Sequence, residues 1–117
     1  PPFALKTKVR TDSTNIRIYY GAGMLIFNWE AAQQELRVHD PKTGAALGIK
    51  VKGFVSPAKW HDVSWEIRAA RQRVLGDGEV RYGGAGDYED LDAPVAIGPS
   101  WGSTVLVESL FVEPLKP

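Results

Sequence analysis

The sequence contains no cysteine among its 117 residues, which removes disulfide scaffolds, thiolate zinc sites and cysteine nucleophiles together. It has no excess of either charge: 14 Lys and Arg balance 14 Asp and Glu, and neither sign is gathered into a block. The electrostatic footprint of a nucleic-acid binder or an anionic-membrane binder is therefore missing, and nucleic acid is not expected as a partner. No apolar run approaches the roughly 18 residues of a membrane span, so no membrane span is expected. The opening "PPFALKTKVR" is not read as a signal peptide. The Gly-rich "RYGGAGDY" lacks the Lys and following helix of a phosphate loop, and no serine sits in a nucleophile elbow.

What the sequence does hold is punctuation. Twelve glycines and eight prolines separate short segments rich in Val, Ile, Tyr, Phe and Trp, a pattern that predicts an all-β, two-sheet antiparallel β-sandwich in a single domain over 1–117. About nine strands are expected within the segments 3–10, 15–20, 24–30, 35–40, 46–54, 60–68, 72–76, 79–82, 93–98 and 103–113, the last long enough to contain a bulge. Asp77-Gly78 in "LGDGEV" is the strongest hairpin signal, because both central residues of a type I′ turn need positive φ. Gly21 and Gly23 in "YYGAGM", with Pro41 and Gly44 in "HDPKTGA", mark further reversals. "WEAAQQEL" and "EIRAARQRV" have helical propensity but are too short to form helices unaided, and are read as a loop turn or strand ends. The proline-flanked ends "PPF" and "EPLKP" suggest a module of a longer chain.

Strand parity sorts the side chains, since residues two apart share a face. Ile16, Ile18 and Tyr20 oppose Asn15, Arg17 and Tyr19. Leu25, Phe27 and Trp29 oppose Met24, Ile26, Asn28 and Glu30. Leu36 and Val38 oppose Glu35, Arg37 and His39. With Val63, Trp65 and Ile67 set against Asp62, Ser64, Glu66 and Arg68, this gives one apolar face and one polar face. The expected interior is Ile18, Phe27, Trp29, Val38, Val63, Trp65, Ile67, Val95, Ile97 and Val105. The expected outer row is Arg17, Tyr19, Asn28, Glu30, Arg37 and His39.

The segment "WHDVSWEIRAARQRVLGDGEVRY" resembles a recurring element of concanavalin A-like jelly rolls, including laminin G-like domains. Trp60 and His61 open a strand, Val63, Trp65 and Ile67 alternate along it, and a hairpin closes on Asp77 and Gly78. The tail "APVAIGPSWGSTVLVESLFVEPL" is similar to the closing pair of that family, with Ile97-Gly98 ending one strand and a long last strand after it. Gly76 stands where such hairpins carry a β-branched residue, which predicts a pinch or bulge. The resemblance implies a jelly roll and a glycan or polysaccharide partner. Galectin-like members bind galactosides through His, Asn, Arg, Trp and Glu on one sheet, but their ordered motif is not reproduced here, so the kind of site carries over and its residues do not.

Sugars are held by planar side chains that form two hydrogen bonds at once and by aromatic rings laid on a pyranose. Arg17 and Arg37 supply rigid donor forks, Asn28 both polarities, Glu30 an acceptor and His39 either, with Tyr19 as platform. Trp101, in the loop tip "GPSWGS", is a candidate stacking residue that could equally fold back under the rim. The bland reading of the row is a set of cross-strand ion pairs among Arg17, Glu30, Glu35 and Arg37, each worth under ~1 kcal/mol. No catalytic group and no cofactor is expected: Asp62 and Glu66, four residues apart on a strand, stand ~13 Å apart, beyond the carboxyl spacing of glycosidases. Asp87, Glu89, Asp90 and Asp92 could take structural calcium but lack the spacing of an EF-hand and read better as a solvated loop. His39 and His61 fall on different parities of different strands, which disfavours a shared metal. The expectation is a non-catalytic carbohydrate-binding module, extracellular or at a cell surface if it binds glycans. The rivals are a structural or protein-interaction domain using the same row, and a small glycan-cleaving enzyme using Glu30, Glu35 or Glu66.

Overall fold

Alternating burial, one side chain in and the next out, builds the segments 36–39, 61–68 and 71–76. The structure, a computed structural model, describes residues 2–12, 14–100 and 103–116. Among them are ten strands: β1 (Phe3–Thr11), β2 (Ile16–Tyr20), β3 (Gly23–Phe27), β4 (Leu36–His39), β5 (Ala46–Ile49), β6 (His61–Arg68), β7 (Arg71–Gly76), β8 (Glu79–Ala85), β9 (Val95–Gly98) and β10 (Val105–Pro114). They form two five-stranded sheets: sheet I in the order β10-β1-β6-β7-β8, and sheet II in the order β5-β4-β3-β2-β9. Every neighbouring pair is antiparallel. The expected all-β sandwich is the observed one.

The inward faces of the two sheets meet in one core. Leu5, Val9, Val63, Trp65, Ile67 and Val74 come from sheet I, and Ile16, Ile18, Tyr20, Leu25, Phe27, Leu36 and Val38 from sheet II. Each large apolar side chain so buried contributes roughly 1.5–3 kcal/mol. Trp65 lies edge-on to Tyr20 at 6.4 Å between ring centroids, and Tyr20 edge-on to Phe3 at 5.4 Å. Of the residues expected in the interior, Ile18, Phe27, Val38, Val63, Trp65 and Ile67 are buried, and Val95, Ile97 and Val105 pack part-buried against them. Trp29 is the exception.

The turn chemistry is as read. Asp77 (φ 52°) and Gly78 (φ 80°) make the β7–β8 hairpin, and the Asp77 carboxylate also accepts from the Asp62 N–H (2.9 Å) and lies 2.6 Å from His61 Nδ1. The β7–β8 register slips between Val74 and Leu75, one residue before Gly76, whose missing side chain makes room for the Arg81 guanidinium. The long last strand has its bulge at Glu108, which the pairing with β1 skips. Two expected strands are cut short: 46–54 stops at Ile49, with Val51 turned to φ 64°, and 24–30 stops at Phe27, with Asn28 at φ 51°.

One buried polar chain crosses the interior. Trp65 Nε1 donates to Gln72 Oε1 (2.9 Å), Gln72 Nε2 to the Tyr88 hydroxyl (3.0 Å), and that hydroxyl to Asp40 Oδ2 (2.6 Å). Tyr88 is wholly buried although it stands in the acidic loop "GDYEDLD", whose carboxylates are exposed. Burial and then the hydrogen bond to Asp40 push the Tyr88 hydroxyl far above its usual 10. Burial by itself would raise Asp40, but the Tyr88 hydrogen bond and the N–H groups of Thr43 and Lys42 outweigh it and hold the carboxyl below its usual 3.8. A depressed carboxyl stabilises the fold above its unfolded pKa and loses that contribution as pH falls through the folded one. Tyr88→Phe is therefore expected to cost about 1–3 kcal/mol in urea denaturation at neutral pH, with the gap to the parent chain narrowing in acid as Asp40 is protonated. A gap that stays constant down to the acid transition would contradict this account of Asp40.

Candidate functional site

Antiparallel register decides which side chains share the outer face of sheet II. One row across β9, β2, β3, β4 and β5 reads Gly98, Arg17, Ile26, Arg37, Gly48, and the next reads Ala96, Tyr19, Met24, His39, Ala46. Bulk and polarity sit on the three middle strands, and both margins are bare. At Gly98 an added Cβ would meet nothing within 4 Å, so that margin is open. At Gly48 it would meet the Glu35 carboxylate, which the missing side chain admits onto the face. Ile26 points outward yet is only 2% exposed, because the aliphatic stems of its neighbours Arg17 and Arg37 cover it.

Of the expected row, Arg17, Tyr19, Arg37 and His39 share this face, and Glu30 joins it by an ion pair with Arg17. Arg17 is largely consumed by the structure: besides Glu30, its Nε donates to Asn15 Oδ1 at 3.3 Å and its Nη1 lies 3.8 Å from the Met24 sulfur. Arg37 is not. Its Nη1 stands 3.8 Å from Glu35 Oε2, too long for a hydrogen bond, and its Nε is buried with no hydrogen-bond partner among the described residues. Tyr19 is 38% exposed beside Met24 and His39. Burial, then the charges of Arg37 and Arg17, hold the His39 imidazolium below its usual 6.5, so the ring is neutral at pH 7 and can donate and accept.

Two expectations are corrected together. Asn28 is not on the face: its positive φ ends β3, and its buried amide donates to the Val55 carbonyl (2.7 Å) and accepts from the Val55 N–H (2.8 Å). Both polarities that suggested a sugar contact are spent on backbone. The same bend breaks the two-residue alternation, so Trp29 is turned out of the core to half-burial, and the Arg37 guanidinium stacks over its ring at 4.5 Å. The signal that could have found this was "FNW" itself, since Asn is the side chain other than Gly that most readily takes the left-handed conformation.

Trp101 lies outside the described residues. The carboxylates of the enzyme reading are dispersed: Glu30 and Glu35 stand beside arginines of sheet II, while Glu66 is on sheet I and bound through both oxygens by Arg73. His39 and His61 belong to different sheets. Among the described residues no three His, Asp or Glu side chains are grouped to hold a metal ion.

Two five-stranded antiparallel sheets stacked in this way form a concanavalin A-like jelly roll, the fold of lectin-like sandwiches. Within that class the chain is similar to galectin LEC-6 of Caenorhabditis elegans, at a TM-score of 0.74 and 9% identity over 96% of this chain and 82% of that one. Sheep galectin-11, in complex with glycerol, gives 0.71 and 9% over 95% and 89%. The carbohydrate-binding module CBM66 from Bacillus subtilis gives 0.68 and 13% over 97% and 75%. No protein-family model and no curated protein matches the chain. At these identities the likeness is one of fold.

The Asn28 geometry makes a direct expectation. Asn28→Ala strands the buried polar groups of Val55 and places Ala in a left-handed conformation, costing about 2–4 kcal/mol. Asn28→Gly, which accepts the positive φ, recovers part of that loss. Chemical denaturation of both variants checks the order, and a loss under about 0.5 kcal/mol for the alanine variant, the range of an ordinary surface change, would contradict it.

Proposed function

We propose that this chain is a non-catalytic, lectin-like module that binds a glycan or polysaccharide across the outer face of sheet II. The observation that carries the reading is Arg37: a guanidinium stacked on Trp29, 3.8 Å from the Glu35 carboxylate, a quarter exposed, and hydrogen-bonded to no described residue. Its exposed N–H groups form a rigid, charged donor fork that no protein acceptor occupies. A sugar hydroxyl can serve as that acceptor.

In this reading Arg37 and the neutral His39 bind hydroxyls, Glu35 accepts from one, and Tyr19 lies against the apolar face of the ring. Trp29 holds Arg37 flat by the cation–π contact. Arg17 and Glu30 neutralise each other beneath the site and keep Arg37 and His39 in place rather than reaching the ligand. The paired ions leave the face without a strong field of either sign, which suits an uncharged sugar. Solved structures of this fold that are galectins or a carbohydrate-binding module support the same reading.

A broad glycan array followed by calorimetry tests it. Arg37→Ala and Tyr19→Ala are each expected to weaken binding about tenfold or more while the protein stays folded, the loss of one charge-assisted hydrogen bond or one stacking face being worth about 1.5 kcal/mol or more. Acidification removes the His39 acceptor and adds a third cation beside Arg17 and Arg37. Affinity is therefore expected to fall on acidification, and to do so at lower pH than an ordinary histidine would titrate, because the His39 imidazolium is held below its usual 6.5. The reading fails if the array is blank, or if both variants bind as the parent does.

A further inference from the structure

At one end of the opposite outer face, charge is not balanced in this way. On sheet I the β6–β7 hairpin sets Arg68 directly across from Arg71, and Glu66 across from Arg73. Glu66 binds Arg73 through both oxygens, at 3.0 and 3.1 Å, so its charge is spent there. Like charges directly opposite on one sheet face repel, and among the described residues no carboxylate pairs with Arg68 or Arg71. Arg68 donates from Nη1 to the Lys116 carbonyl at 2.8 Å, a neutral acceptor that fixes the guanidinium without cancelling its charge. Arg71 is exposed and has no ion-pair partner among the described residues.

These arginines border a cleft of about 530 Å³ whose floor is Gly83 and Ala85, the β8 partners of Arg73 and Arg71. The neighbouring Gly84 is demanded by packing, because a side chain there would collide with the Tyr82 ring. Gly83 is different. Its φ is not positive, and an added Cβ would come no nearer than 3.9 Å to anything, the Gln72 carbonyl oxygen. Glycine inside a strand costs roughly 0.5–1 kcal/mol relative to alanine, and neither backbone nor neighbours require it at 83. What it provides is an unobstructed floor beside two unneutralised guanidinium forks.

We propose that this cleft binds an oxyanion, the sulfate or carboxylate group of an acidic ligand, between Arg68 and Arg71. Guanidinium forks match the paired oxygens of either group, and one anion between the two cations removes the repulsion that the hairpin register imposes. The site is separate from the face of sheet II and independent of the glycan reading.

Backbone amide shifts of the full chain, followed by NMR during titration with sodium sulfate or sodium glucuronate against sodium chloride at matched ionic strength, test it. Saturable shifts at Arg71, Gly83 and Ala85 are expected with sulfate or glucuronate and not with chloride, while Arg37 and His39 stay unmoved. Tighter binding of sulfate assigns a sulfate ester as the natural group, and tighter binding of glucuronate assigns a uronate carboxylate. Arg71→Gln is expected to weaken binding by about tenfold or more, as loss of a charged fork does, and Gly83→Leu to abolish it by filling the floor, with Gly83→Ser as the smaller obstruction should leucine disturb the fold. Equal shifts with chloride, or unchanged binding in Arg71→Gln, would overturn the proposal.

Discussion

The two hydrogen bonds between the Asn28 amide and the backbone of Val55 hold the bend on which the outer face of sheet II depends. Both groups of Val55 are buried in an irregular stretch that follows β5 and offers no ladder to pair with, and a single side chain of matching polarity satisfies both. The Asn28 N–H in turn donates to the Gly53 carbonyl at 2.8 Å, and the Gly53 N–H to the Gln34 carbonyl at 3.0 Å. The loop from 28 to 35 and the loop from 50 to 55 are thereby stitched into one unit. That unit sets where Trp29 and Glu35 lie, and so what surrounds Arg37.

Much of the fold was legible in the sequence because its signals are local. Period-two alternation placed the strands and most of the core, and Asp77-Gly78 announced its hairpin through the one backbone conformation that the pair accepts most readily. Parity failed at Asn28, where a single positive φ ends the strand and with it the alternation until β4 begins. Trp29 was therefore assigned to the core and Asn28 to the face, when the structure has them the other way round. Tyr88 was illegible for another reason: four carboxylates surround it in sequence, and only the long-range meeting of Gln72 and Asp40 explains why an aromatic residue there is buried.

The sandwich separates its tasks by face. Between the sheets, apolar packing gives way to polar groups satisfied in a chain from Trp65 to Asp40. Outside sheet II, opposite charges lie close enough to cancel, and their stems seal Ile26 beneath them. Outside sheet I, the register of one hairpin brings like charges together over a glycine floor. The same strand pairing that builds the core thus fixes two surfaces of different electrical character, and neither follows from a net charge of zero for the whole chain.

The account stands on Trp29 lying at the proposed glycan face beside Arg37 rather than in the core. The chain has four tryptophans, and their indole N–H resonances can be followed separately while a glycan retained from the array is titrated in. The Trp29 resonance is expected to move with saturation while that of the wholly buried Trp65 stays still. A Trp29 signal that does not respond, or a Trp65 signal that moves as far, would contradict it.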